Sequence, residues 1–558
     1  MQKIKNILNK YPWILVVLMA IPACLALLAQ GYFGVSDDMH PAWLYEMHRS
    51  ITSGQFPVRF VPDLSYGYGY PLFNFVFPLP FYIAEIFYLI GFSLVGSIKM
   101  VMALSLTLSG ISMFYFLKRF VPLDLSMLGS AIYIYTPFRS TEVYVRGAIG
   151  EATAFVFLPL ILLSVIGAAE DRKYLKWISI GALSVAGLIT SHNISSMMFV
   201  PFVLLFIVIY FVFNKYDFPT LLRFLSIIFL GLLSGIFFWF PAISESKLMK
   251  YDTVFNYVDH FPTIKQLITP YFGYGASVPG PGDGMSFFIG SANILLILIT
   301  LAMLLFKRKN LEGITKTIII WALLSIAISG FLMNHRSLAL WDALPLIAYF
   351  QFPWRFLIMT TFSSSILVIA LKYLKVNSKI ILVLTVLVII SAFNYFEPSE
   401  YLGRGDDYYL KRYVPYPKVN EEYLLQNEEY LRLPNAASVR PNSLPEKINC
   451  INCQVTQIQN SNVLDVTFKV TAVDNAYVTY GKYNFPGWKA KIDGKTAKIE
   501  SGSLYGDIRV DVTGGEHLVE IYFGETSRNL FLDGVSLATI LLLIGFIVKN
   551  SLGFVKIK

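Results

Sequence analysis

Long apolar runs alternate with short polar joints through the first two-thirds of the chain, and the pattern changes character only near residue 398. Runs long enough to cross a hydrocarbon core, roughly 17 to 25 residues each, fall near 11–30, 98–117, 122–137, 151–169, 174–192, 195–213, 219–241, 290–306, 313–333, 354–374, 378–396 and 529–548. They predict a polytopic α-helical membrane protein of about twelve spans. With that count, the basic clusters Lys118/Arg119, Arg172/Lys173/Lys176, Lys215, Lys307/Arg308/Lys309, Lys372/Lys375/Lys379 and Lys549 all fall on the side of the N-terminus, which the positive-inside rule makes cytoplasmic. The opening "MQKIKNILNK" has the basic flank of a signal peptide, but the apolar stretch after it has the length of a span, so it reads as a retained signal-anchor helix. Counting 78–91 as a further span would put every later cluster outside. It is therefore read as an interfacial helix, with Glu85 on its polar side, inside a long first outer loop, 31–97. A second such helix is predicted over 41–53, with Pro41 at its first position, Trp43, Leu44, Met47 and Ile51 on one stripe and Gly54 just past its end.

Past 398 charges become frequent. "VLDVTFKVTAV", "AYVTYGKY", "WKAKIDGKTAKIE" and "GEHLVEIYFG" alternate with period two and are broken by Asp-Gly and Gly-Gly turns, the pattern of a small β-sandwich. The expected organisation is a transmembrane domain over 1–397, an extracytoplasmic β-rich domain over 398–528 with an irregular entry (398–448), and a C-terminal helix with a cytoplasmic tail over 529–558.

Composition agrees with this topology: 55% of residues are hydrophobic and 15% charged, outside the range of soluble domains. The net charge of +9 reports topology rather than a nucleic-acid partner, because basic residues at span ends mark the cytoplasmic side. Of three cysteines, Cys24 lies in the first apolar run, while Cys450 and Cys453 can bridge in an oxidising compartment or sit reduced; one such pair is half a zinc site at best.

Sorted by side, the polar residues at span edges gather on the outer face: Asp37, Asp38, His40, Arg59, Arg139, Glu142, Arg146, Glu151, His192, Asn193, His335, Arg336 and Arg355. Asp37 and Asp38 can act as a general base, can bind a divalent ion (Mg or Mn) together with His40, or can merely cap the helix that follows. Arg355 in "QFPWRFL" and Arg146 in "YVRGAIGE" can clamp a phosphate or snorkel to headgroups, and Glu151 can pair with Arg146. His192 and Asn193, at a span end, are candidates to line a site. In "YGYGYPLFNFVFPLP", Tyr66, Tyr68, Tyr70, Phe73 and Phe75 can stack on sugars or form an interfacial belt.

"SDDMHPAWLYEMHRSITSGQFPVRF", "SYGYGYPLFNFVFPLPFY", "YVRGAIGEATAFVFLPLILL", "YGYGASVPGPGDGMSF" and "LPLIAYFQFPWRFL" together resemble the pyruvoyl-tetrahydropterin-synthase-related membrane protein family, which looks like a branch of the GT-C glycosyltransferases. "GWKAKIDGK" and "GEHLVEIYF" resemble the C-terminal β-domain of the YfhO-like membrane proteins. The resemblance implies a multispan, inverting transferase using a polyprenyl-phosphate-linked sugar, with an essential acid in the first outer loop. It implies Asp37 as the base, Asp38 as its partner or a metal ligand, and Arg355 at the donor phosphate, joined by Arg146. His40, Arg59, Tyr68, Tyr70, Glu142, Glu151, His192 and Asn193 would line the site. Where GT-C enzymes commonly place a second acid as Asp, this chain has Glu142 and Glu151. The expected partners are the donor, membrane lipids and a glycan, lipid or protein acceptor. Two other functions fit the same spans: a transporter or scramblase of lipid-linked precursors, and a non-catalytic scaffold on a GT-C-like core.

Overall fold

The structure, a computed structural model, describes residues 10–214, 217–250, 256–307, 311, 313–415, 431–502 and 504–552; Lys215, Arg308 and Lys309 of the basic clusters lie outside them, as does the Lys307 side chain. Among the described residues, eight helices are long and apolar enough to cross a bilayer: Leu94–Lys118, Ile149–Glu170, Tyr174–Ser191, Asn193–Phe213, Gly313–Leu332, Pro353–Leu374, Ser378–Tyr395 and Ser527–Asn550. A ninth candidate is the pair Phe218–Ser234 and Ile236–Leu248, bent by 70°. The other three predicted spans coincide with shorter apolar helices, Trp13–Leu28, Leu123–Tyr135 and Ser291–Phe306.

The bend falls at Gly235, a poor helix former, and the backbone groups it frees find partners on other elements. The Phe237 N–H donates to Ser536 Oγ (3.1 Å), Ser536 Oγ donates to the Leu233 carbonyl (3.3 Å), and Arg59 Nη1 donates to the Phe237 carbonyl (2.8 Å). A broken helix in a bilayer requires such re-satisfaction, since no water is at hand.

Both helices predicted in the first loop are present, as His40–Thr52 and Leu79–Leu89. The second rises about 16 Å, well short of the roughly 30 Å core. The two pack on each other: Phe81 meets His40 and Trp43 edge-on or tilted, and Glu85, expected on a polar surface, is buried and hydrogen-bonded to His48 Nδ1 at 2.8 Å. A buried carboxylate needs a partner, and the neighbouring helix supplies it.

The C-terminal strands are β1 (Ile448–Ser461), β2 (Asp465–Tyr483), β3 (Trp488–Ile492), β4 (Lys495–Ala497), β5 (Glu500–Ser501), β6 (Asp507–Val512) and β7 (Gly515–Phe523), all antiparallel, in the order β4-β3-β7-β2-β6-β5 with β1 on the other edge of β2. β2 is shared: β7 pairs with its residues 465–472 and β6 with 476–483. Its alternate residues Val466, Phe468, Val470, Ala476, Val478 and Tyr480 are buried, as a one-sided sheet requires. The Asp-Gly turn between β3 and β4 holds both residues at positive φ, 49° and 75°, the conformation a two-residue hairpin needs.

The sheet sits on the first loop. Phe60 stacks on Phe523 and meets Trp488 edge-on, Phe75 meets Phe485, and Lys482 Nζ donates to the Pro62 and Gly67 carbonyls at 2.8 and 2.6 Å. Gly69 (φ 75°) lies so close to Phe60 that a Cβ would come within 2.4 Å of its ring. Cys450 and Cys453 form a disulfide in β1.

Candidate active site

The chain enters the site through a turn of π-helix, Thr141–Arg146, ended by Gly147 in the left-handed conformation (φ 69°). A Cβ on Gly147 would lie 2.8 Å from Val35. That close approach lets residues 36 and 37 run alongside 145 and 146: the Ser36 and Asp37 amides donate to the Val145 and Arg146 carbonyls at 3.1 and 2.8 Å. Backbone pairing thus sets Asp37 beside Arg146.

Glu151, in the first turn of the next helix, is the hub. Its carboxylate accepts from Arg146 Nη1 (2.8 Å) and Nη2 (3.0 Å) and from Arg355 Nε (2.9 Å), with His192 Nε2 at 3.7 Å. Arg146 Nη1 also bonds Glu142 at 2.8 and 2.9 Å. Arg355 Nη1 is held by the Phe350 carbonyl (3.0 Å) and Gln351 Oε1 (2.6 Å), whereas its Nη2 has no hydrogen-bond partner among the described residues. The His192 ring caps the helix Asn193–Phe213, accepting the Ser195 amide at Nδ1 (3.1 Å). A neutral His192 therefore carries its proton on Nε2, facing Glu151. Trp354 lies under Arg146, with the guanidinium carbon 4.8 Å from the ring centroid, and stacks on Phe352 and Phe287. The four charged members, Glu142, Arg146, Glu151 and Arg355, are buried, as is His192, so each charge depends on its partners.

The two adjacent acids have separate surroundings. Asp37 is half-buried, and its carboxylate has no hydrogen-bond partner among the described residues. Burial raises its pKa above the ordinary range; Arg146 and Arg355 pull it back, and Glu151 and Asp38 push it further up. Asp38 instead accepts a hydrogen bond from the Tyr413 phenol and faces Arg412 and Arg404. Tyr413 ends the helix Asp406–Tyr413, which is tied down twice more: Asp406 takes the Leu94 and Val95 amides at 2.8 and 2.9 Å, and the Tyr32 amide donates to the Arg404 carbonyl at 2.8 Å. His40 is buried between Trp43 and Phe81, is hydrogen-bonded to the Gly147 backbone, and is driven down to a pKa of about 3 by burial.

Asp37, Asp38 and His40 therefore do not converge, and among the described residues no group of three His, Cys, Asp or Glu is placed to hold a metal ion. The residues present do not fit the divalent site expected from them.

Other expected lining residues lie elsewhere. Arg59 is consumed by Glu525 and Asp533 (both 2.6 Å) and by Phe237. Tyr68 packs on Tyr483 and Tyr505, and the Tyr70 hydroxyl accepts the Arg432 amide at 3.0 Å. Asn193 adjoins His192 and borders an apolar cavity of about 390 Å³. A larger apolar groove, about 910 Å³, reaches Phe350 and Phe356, which flank Arg355 in sequence. Among residues not singled out from sequence, Trp354 had a signal in its place before Arg355, and Tyr413 had none.

The bundle, the attached sheet and the buried ion cluster define a multispan α-helical membrane protein with a polar site at the end that carries the sheet. Residues 73–399 match the family described as 6-pyruvoyl-tetrahydropterin synthase related domain; membrane protein, and the chain belongs to that family. It is 25% identical over 208 residues to a protein of Lactococcus lactis subsp. cremoris (strain MG1363) described as uncharacterized, a match covering 36% of this chain and 33% of that one. Solved structures similar to this chain include the following two. The arabinofuranosyltransferase AftD from Mycobacteria has 12% identity and a TM-score of 0.43, over 69% of this chain and 27% of that one. The oligosaccharyltransferase AglB from Archaeoglobus fulgidus, in complex with an inhibitory peptide and a dolichol-phosphate, has 13% identity and a TM-score of 0.42, over 74% and 61%. The chain thus spans about a third or less of the first two proteins.

Proposed function

We propose that the protein is a membrane glycosyltransferase that moves a sugar from a polyprenyl-phosphate-linked donor to a hydroxyl-bearing acceptor. The observation that carries this reading is the Asp37 carboxylate, without a hydrogen-bond partner among the described residues, set beside two arginines whose geometry is locked by Glu151. Asp37 takes the acceptor proton as the new bond forms at the anomeric carbon. The bond from that carbon to the phosphate oxygen breaks on the opposite face, with inversion, and the charge gathering on the departing phosphate is met by Arg355 Nη2 and the Arg146 edge. The groove at Phe350 and Phe356 is apolar, which suits the polyprenyl chain. Asp38 holds the loop through Tyr413, and no step is assigned to a metal. In this reading the site and the sheet face the outside of the cytoplasmic membrane, with the N-terminus inside, and the bundle over 1–397 carries both substrates.

The test is transfer from polyprenyl-phosphate-linked radiolabelled sugars by the full chain in proteoliposomes. Asp37→Asn is expected to lower turnover on the order of 100-fold or more while donor binding persists. Full turnover by that variant would overturn the assignment, and movement of an intact lipid-linked sugar across the bilayer without transfer would favour a scramblase.

A further inference from the structure

Arg355 opens the helix Pro353–Leu374 and Lys372 closes it, roughly 25 Å away along the axis at ~1.5 Å per residue. At that far end lies a crevice of about 880 Å³ between the helices Trp13–Cys24, Leu123–Tyr135 and Ser378–Ala392. Its walls are apolar, with Met19, Met127, Ile381 and Ile389 among them, and its polar rim holds Lys372, Lys375 and Asp124. Asp124 accepts the Leu125 amide at 2.9 Å, at the start of its own helix. Lys372 Nζ is anchored to the Phe120 carbonyl at 3.0 Å, which fixes the ammonium at the rim. Lys375 lies in the left-handed conformation (φ 51°) just past the helix end, where its amide donates to the Lys372 carbonyl at 3.3 Å, and its ammonium makes no hydrogen bond or ion pair among the described residues.

Two ammonium groups against one carboxylate leave the rim positive, above a slot that only hydrocarbon fills well. Ordinary lipid around a protein needs neither the slot nor the charge, whereas basic pockets between membrane helices suit anionic headgroups. We propose that this crevice is a binding site for an anionic phospholipid, its phosphate held by Lys372 and Lys375 and one acyl chain lying against Met19, Ile381 and Ile389. The inference is independent of the transferase reading, since none of these residues belongs to that site.

The test is native mass spectrometry of the detergent-purified full chain with added phosphatidylglycerol or phosphatidylcholine. Retention of phosphatidylglycerol is expected to exceed that of phosphatidylcholine roughly tenfold, given two lysines at the headgroup. The double variant Lys372→Gln/Lys375→Gln is expected to lose the preference, and Thr385→Trp, which fills the slot and leaves both cations, to lose the retained lipid altogether. Lys375→Gln alone, at an exposed position, serves if the double variant fails to fold, and is expected to reduce the preference severalfold. Equal retention of the two lipids, an unchanged preference in the lysine variants, or capture of a polyprenyl phosphate in place of phosphatidylglycerol would each overturn the proposal.

Discussion

Asp37 and Asp38 are chemically identical neighbours with different partners, and that difference can be titrated. Because burial raises the Asp37 pKa while Arg146 and Arg355 restrain it, the acid limb of the transfer rate should lie above the usual carboxylate range. Arg146→Gln should move it higher still, a shift read from kcat/KM against pH. Tyr413→Phe, which removes a hydroxyl bonded to Asp38 and Arg412 but not to Asp37, should leave the limb in place. His40 gives a separate signature in stability. Its folded pKa of about 3 lies below its ordinary 6.5, so its contribution is whole above pH 6.5 and is lost as the pH falls toward 3, at up to about 1.4 kcal/mol per unit. A His40→Asn variant should show a flatter thermal-unfolding profile over that interval. At Glu151 the cost should be larger: Glu151→Gln leaves buried guanidinium groups short of a counter-charge and should destabilise the fold by about 3–5 kcal/mol, seen as a fall in Tm.

At the level of elements, the bend at Gly235 depends on a residue of another helix. Ser536→Ala would leave the Phe237 amide without its acceptor inside the bundle, a loss of about 1–3 kcal/mol that should appear as faster hydrogen exchange around the bend. Local signals of this region were only partly legible in sequence. Apolar length marked 219–241 as one span and left the 70° break unseen, because Gly235 bends only where Ser536 and Arg59 complete the exposed backbone. The Asp493-Gly494 turn was legible because the residues themselves demand the geometry. Glu85 was misread because its partner, His48, sits on a helix 37 positions earlier. In the site, alternation of charge across spans gathered Asp37, Arg146, Glu151, His192 and Arg355 on one side, since topology alone does that. Which of them would touch was not legible: Arg355 finds Glu151 across 204 positions, and Arg59 finds Asp533 across 474.

The molecule as a whole is assembled around the first loop, which meets the bundle on one side and the sheet on the other. The tyrosines read as a sugar platform or an interfacial belt are occupied in that junction, with Tyr68 on Tyr483 and the Lys482 ammonium inserted among loop carbonyls. Lys482→Met should therefore loosen the sheet from the loop, detectable as protease sensitivity near residues 60–70 with the spans intact. The clasp between Tyr413 and Asp38 closes across 375 positions. For a chain threaded into the membrane from its N-terminus, the acid loop is made early and fastened late. The bundle helices through Ser378–Tyr395 have all been synthesised before the strap that fixes Asp38 exists, so in a nascent chain halted before residue 404 the acid loop is already paired with residues 145 and 146, while Asp38 has yet to meet Tyr413.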